Sequence, residues 1–178
     1  MQQSNTLPPS SNNAWPQGLT IRARSLDDAA AITDLHNLPG YRWGTMRLPY
    51  HAVDEIRRGI EQQASDARSL VALMDGRVVG DISLMPAKGR RAHAATIGMG
   101  VHDDFKRRGI GRALLGEAVS IADDWLNMRR LELTVYADNQ AAISLYEGFG
   151  FKVEGKMAHY AYRGGQYVDA LSMARLRP

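Results

Sequence analysis

Between Phe105 and Ala118 the chain reads FKRRGIGRALLGEA: Lys106, Arg107 and Arg108, then Gly109, Ile110, Gly111 and Arg112, running into residues with helical spacing. Such a stretch suits an anion. The first N–H groups of a helix have no intrahelical acceptor and sit at the positive end of the helix dipole. Glycines let the backbone close on a phosphate with no Cβ in the way, while Lys106, Arg107, Arg108 and Arg112 bring mobile positive charge. The pattern describes a pyrophosphate site, and it equally describes a solvated helix start that carries arginines. A Walker A loop fits poorly, because GIGRAL lacks the Gly-Lys-Ser/Thr ending. A dinucleotide fingerprint fits poorly, because Leu114 stands where a third Gly or Ala is needed and the turn lies far from the first strand. Glu132, about twenty residues on, imitates the ribose-binding acid of that fingerprint but falls inside a strand-like run. Further along, Asn139 and Tyr146 are seven residues apart, about two helical turns, and so share a face.

These residues need elements to hold them. Leu19 to Arg24 alternates apolar and polar residues and predicts a strand; Leu26, Ala30, Leu35 and Leu38 predict a helix closed before Pro39. Gly40 to Tyr50 mixes Gly, Pro and aromatic residues without a period and reads as a loop, followed by a helix over about Ala52 to Ala64. Ser69–Met74 and Val78–Met85 flank a hairpin signal at Asp75-Gly76, and Ala94–Val101 (AATIGMGV) makes the third strand of a meander. The glycines at 98 and 100 mark either a bulge or a close approach of something else to this backbone, or simply a weak edge strand. Ile110, Leu114, Ala118, Ile121 and Trp125 define a helix reaching about Leu126; a strand over Leu131–Val135, a helix over Asn139–Glu147 and two strands around Gly164-Gly165 complete the chain. The order βααβββαβαββ is that of a single α/β domain. Residues 1–18, built of Gln, Ser, Asn and Pro with one Trp, read as a flexible tail ahead of a domain over 19–178.

Composition narrows the function. Among 178 residues there is no cysteine, so disulfides, thiolate metal sites and an acyl-cysteine are all excluded. A net charge of +3 favours an anionic partner, without the dense basic stripe of nucleic-acid binding. No apolar run approaches the length of a membrane span and the N-terminus has no secretory pattern, so the expected location is the cytoplasm.

Lys106-Arg107-Arg108-Gly109-Ile110-Gly111 resembles the Gln/Arg-x-x-Gly-x-Gly/Ala loop of the GNAT N-acetyltransferases, with Lys106 replacing the usual first residue. Asn139, Ala142, Ile143, Leu145, Tyr146 and Gly150-Phe151 are similar to the helix that follows in that family, and the likeness extends over about Leu19 to Leu176. HNLPGY, RRLELTVYADN and YAYRGGQYVDALSMAR resemble segments of small bacterial amino-acid N-acetyltransferases. The resemblance implies a GNAT-like mixed central sheet with helices on both faces, acetyl-CoA as co-substrate, no metal, and a small-molecule amine as acceptor. It further implies that the loop before the long helix holds the pyrophosphate and that Met99 and Val101 offer backbone groups to the pantetheine arm, the Met99 N–H facing the thioester carbonyl. Asn139 bonds the cofactor arm, which is compatible with capping its helix, and Tyr146 is the general acid for the departing thiolate. A homodimer through the C-terminal hairpin is a further expectation.

The base is less determined. Thr96 stands near the position where many relatives carry an acid, and it cannot serve. Glu132 shares a strand face with Thr134, where some relatives place their base, yet an ion pair with Arg130 explains it as well. His93 is a second candidate or an exposed turn residue, and ordered water can replace both. Tyr41 and Trp43 either wall the acceptor pocket, suiting an apolar amino acid, or form a lid packed on the core. Lys88 to Arg91 reads as a solvated turn that could also meet an acceptor carboxylate. Acetylation of a protein N-terminus or of a toxic amine, and a non-catalytic acyl-CoA-binding module, are the alternatives.

Overall fold

Alternating and 3.6-period apolar patterns fix where this chain turns from strand to helix, and the computed structural model describes residues 15–177. In chain order the elements are β1 (Leu19–Ala23), α1 (Ala29–His36), α2 (Pro39–Gly44), α3 (Val53–Glu61), β2 (Arg68–Met74), β3 (Arg77–Pro86), β4 (Ala94–Val101), α4 (Ile110–Ser120), β5 (Arg130–Tyr136), α5 (Gln140–Glu147), β6 (Lys152–Arg163) and β7 (Gln166–Leu176). The strands make one seven-stranded sheet in the order β1-β2-β3-β4-β5-β7-β6. β4 and β5 are parallel neighbours, and the other five pairings are antiparallel.

Helices cover both faces, as expected. On β2, Val71 packs with Ile32, Leu35 and Ile56 of α1 and α3, whereas the next residue, Ala72, belongs to the core around Ile110, Leu114 and Leu115 of α4. Successive strand residues point to opposite faces, so one strand anchors two cores. Leu114, Leu115 and Phe151 are buried, and each such side chain contributes roughly 1.5–3 kcal/mol relative to exposure.

One irregularity sets up the site. Leu73 pairs with Val78 and Ala72 with Gly80, leaving Val79 as an extra residue on β3. A bulge of this kind reverses the facing of everything beyond it. Val79 and Ile82 therefore share the α4 core, and Asp81 turns to the α1–α2 side, where its carboxylate meets His36 and Tyr41.

Three segments differ from the sequence reading. The stretch 40–50, expected as a loop, begins inside α2, because Pro39 occupies the first helical turn, where its missing N–H costs nothing. The long helix ends at Ser120 and continues as a π-helical turn, Ile121–Trp125. That wider turn rotates Trp125 off the apolar face, leaving it 83% exposed. Of the expected tail, residues 1–14 lie outside the described residues. Trp15 packs against the α4 core and its Nε1 donates to Glu117 Oε1 at 3.0 Å.

Candidate active site

β4 and β5 pair only across Ala94–Arg130, Ala95–Leu131 and Thr96–Glu132. Beyond Thr96 the strands diverge, β4 still pairing with β3 on its other side and β5 with β7. The divergence opens a cleft of about 1300 Å³ through the sheet, lined by Thr96–Val101 of β4 and Thr134–Tyr136 of β5. Backbone N–H and C=O groups on these inner edges have no strand partner, so they can receive an extended chain as an added strand would.

At one end of the cleft lies the basic glycine turn. Arg107 and Gly109 both have positive φ, 60° and 80°, and this left-handed pair swings the chain into α4. The first helical bond runs from Ala113 N to Gly109 O, which leaves the N–H groups of Ile110, Gly111 and Arg112 without intrahelical acceptors. Lys106, Arg107, Gly109, Gly111 and Arg112 line the cleft. Arg108 and Ile110 contribute differently from the expectation. The Arg108 guanidinium lies over the Phe105 ring at 4.9 Å, and the Ile110 side chain is buried in the core, which anchors the helix start. Asp103 ties this turn to α2, accepting from Gly40 N at 2.7 Å and pairing with Lys106 at 3.0 Å.

The β4 glycines separate into two cases. A Cβ on Gly98 would meet nothing within 4 Å, whereas one on Gly100 would lie 2.2 Å from Tyr41 Cε2. Gly100 thus makes room for an aromatic ring, and Gly98 faces open space. Met99 and Val101 line the cleft and approach Gly111 from across it.

On the α5 wall, Asn139 caps the helix, its Oδ1 accepting from Ala142 N at 3.3 Å, while its amide nitrogen points toward Gly44 of α2. Tyr146 lines the cleft, is 8% exposed, and packs on Phe151. Burial pushes its phenol up to about 12, so it stays protonated at neutral pH.

The far end of the cleft is aromatic and charged. Tyr41 is both lining and core: its ring stacks on His36 with centroids 5.0 Å apart, and its hydroxyl donates to Asp81 Oδ1 at 2.6 Å. Burial and the adjacent Asp81 carboxylate raise the Tyr41 phenol well above its ordinary value. Burial would also raise Asp81, but bonds from His36 and Tyr41 and the charge of Arg47 outweigh it and hold the carboxyl below the usual range. Trp43 is 54% exposed and lies under the β6–β7 turn, where the Arg163 guanidinium sits 4.4 Å from its ring and 4.5 Å from that of Tyr136. Arg163 also donates to Trp43 O and pairs with Asp138.

Glu132 requires a correction, for it does not line the cleft. Burial would raise its carboxyl, but Arg130 at 2.8 Å and Arg91 at 2.5 Å hold it below the usual carboxylate range. A carboxylate fixed by two guanidiniums at the closed end of the β4–β5 pair is a structural group. His93 is exposed at the start of β4, and neither it nor Lys88–Arg91 reaches the cleft. Sequence reasoning missed Asp81, Arg163 and His51. Only His51 left a local signal, its four-residue spacing to Glu55 across the start of α3.

The family model described as "Acetyltransferase (GNAT) family" matches residues 30–151. The chain belongs to the GNAT acetyltransferases. It is 37% identical over 160 residues to the L-amino acid N-acetyltransferase AaaT of Escherichia coli (strain K12), covering 89% of this chain and 98% of that one. It is 26% identical to the spermidine N(1)-acetyltransferase of the same organism, over 89% of this chain and 87% of that one. The solved spermidine N-acetyltransferase of Vibrio cholerae in complex with CoA and spermine superposes with a TM-score of 0.79 at 25% identity, covering 89% of this chain and 95% of that one. This GNAT chain is accordingly an acetyl-CoA-dependent N-acetyltransferase. Its diverging strands and basic helix start fit that co-substrate, one offering free backbone edges to an extended arm and the other N–H groups and cations to phosphates.

Proposed function

We propose that this GNAT enzyme acetylates the primary amine of a free L-amino acid or similar small amine, by direct transfer with donor and acceptor bound together. The observation that carries this reading is a single cleft through the sheet, basic at the α4 end and closed by α2 and the β6–β7 turn at the other. Acetyl-CoA supplies an acyl carbon whose leaving group is a thiolate.

Lys106, Arg107, Arg112 and the N–H groups at Gly109–Gly111 hold the phosphates, and Met99 and Val101 bind the arm from β4. Asn139, fixed as a helix cap, presents its amide nitrogen to the same arm. The Met99 N–H faces the carbonyl oxygen and stabilises charge that develops there. Tyr146, protonated at neutral pH, donates to the leaving sulfur. A thiol titrates near 8.5, so a phenol at about 12 stabilises the thiolate mainly by hydrogen bonding.

The acceptor end favours an amino acid over a polyamine. Its two carboxylates are already engaged, Asp81 by His36 and Tyr41 and Asp138 by Arg163, which leaves little anionic surface for a polycation. Arg47 lines the same end and offers a guanidinium to an acceptor carboxylate. The 37% identity to an L-amino acid N-acetyltransferase supports the same choice. The second copy in a homodimer would meet the exposed edge of β6 and the tyrosines 160, 162 and 167 of the hairpin.

Thiol release from acetyl-CoA over a panel of amino acids, polyamines and peptides tests the assignment. Turnover concentrated on free amino acids is expected. Acetyl-CoA binding with no release by any amine would leave only a binding module, and turnover confined to polyamines or peptides would replace the acceptor.

A further inference from the structure

We propose that His51, oriented by Glu55, is the general base that takes the proton from the acceptor ammonium; this rests on the acetyltransferase reading above. Direct transfer needs a neutral amine, and the acids in and near the cleft cannot supply the base. Thr96 replaces one, Glu132 is held outside by two arginines, Asp138 is paired with Arg163, and both oxygens of Asp81 already accept bonds.

His51 has what these lack. It lines the acceptor end of the cleft. Its Nδ1 lies 2.9 Å from Glu55 Oε1, a contact that places the ring proton on Nδ1 and leaves the Nε2 lone pair bare. Nε2 is buried and has no hydrogen-bond partner among the described residues.

The backbone around it is fixed for the purpose. Leu48 and Tyr50 are 75% and 90% exposed, and Tyr50 carries a left-handed φ of 64°. At the next residue the chain is clamped twice by one side chain: His51 N donates to Asn37 Oδ1 and Asn37 Nδ2 donates to His51 O, each at 2.9 Å. A histidine whose N–H and C=O are both clamped within an otherwise exposed stretch argues for a positioned imidazole. The other titratable or charged groups around the ring are His36 of α1, with centroids 6.3 Å away and edge-on, Tyr41 of α2, Asp81 of β3 and Arg47 of the loop itself.

The protons balance. The acceptor ammonium gives one proton to Nε2, the neutral nitrogen bonds to the acyl carbon, and the carbon–sulfur bond breaks. Of the nitrogen's remaining two protons one passes to solvent, so the amide keeps a single hydrogen, and the sulfur leaves as a thiolate that Tyr146 hydrogen-bonds until it takes up a proton from solvent. The imidazolium returns its proton to solvent on the side of Glu55, whose side chain is 54% exposed.

The test is H51Q beside E55Q, with wild type established first on its preferred amine. H51Q should lose about 100-fold or more in kcat, keep its acetyl-CoA affinity and melting temperature, and recover rate as pH rises and neutral amine accumulates. Its deficit should shrink for hydroxylamine, which is mostly neutral at assay pH. E55Q should fall between the two. In the ligand-free wild type, imidazole ¹⁵N spectra should show the Nδ1–H tautomer of His51. Full activity in H51Q, an equal deficit for neutral amines, or an Nε2–H tautomer would each overturn the base. A wild type that acetylates no amine would overturn the acetyltransferase reading beneath it.

Discussion

Tyr146 and Tyr41 show how burial assigns different work to the same side chain. Both phenols are raised by desolvation, but Tyr41 spends its hydroxyl on Asp81. With its pKa about 12, Tyr146 remains a donor across the working range. The Y146F variant should retain fold and acetyl-CoA affinity and lose kcat by roughly tens- to thousands-fold, read by thiol release. Unchanged turnover would make the tyrosine a packing group only. Glu132 shows the reach of local reading: its ion pair with Arg130, two positions away, was legible beside the base reading, but Arg91, which completes the clamp, lies 41 positions away.

At the level of elements, most of the scaffold could be read from spacing, because strands β1 to β7 and helices α4 and α5 rest on local alternation or 3.6-residue periodicity. The basic turn and the Asn139/Tyr146 helix carried the cofactor end for the same reason. What could not be read were features set by pairing partners. The Val79 bulge, which turns Asp81 toward the acceptor end, depends on the register with β2. The true occupant beside Gly100, the Tyr41 ring, arrives from a helix read as loop. Gly100→Ala should therefore displace that ring and weaken the bond to Asp81, lowering unfolding free energy by about 1–3 kcal/mol in urea titration. Gly98→Ala, with open space around its Cβ, should cost far less stability.

Across the whole molecule, stability against acid rests on carboxylates scattered over it. Burial would raise Asp28, yet Arg22, bonded to both its oxygens at 2.7 and 2.8 Å, and the Ser25 N–H bring it below its ordinary value. Asp81 and Glu132 are lowered likewise. A folded pKa below the unfolded one, about 3.9 for Asp and 4.3 for Glu, means stability present above those values and lost as pH falls through the folded ones. The urea midpoint should hold from neutral pH to about pH 5 and then decline, with R22Q removing part of the slope. The raised phenol of Tyr146 acts at the other extreme, its contribution fading as pH climbs from about 10 toward its folded value. The divergence of β4 and β5 has a thermodynamic meaning too. It is a sheet edge kept in the interior, recessed between helices where another chain cannot pair with it. A ligand that fills it closes the ladder, so free energy of binding becomes free energy of folding: at a hundredfold excess over Kd the gain is about 2.7 kcal/mol. The melting temperature should climb with the logarithm of acetyl-CoA concentration, and amides of Gly98–Val101 should slow in hydrogen exchange, making the enzyme's own thermal resistance a gauge of how much donor surrounds it.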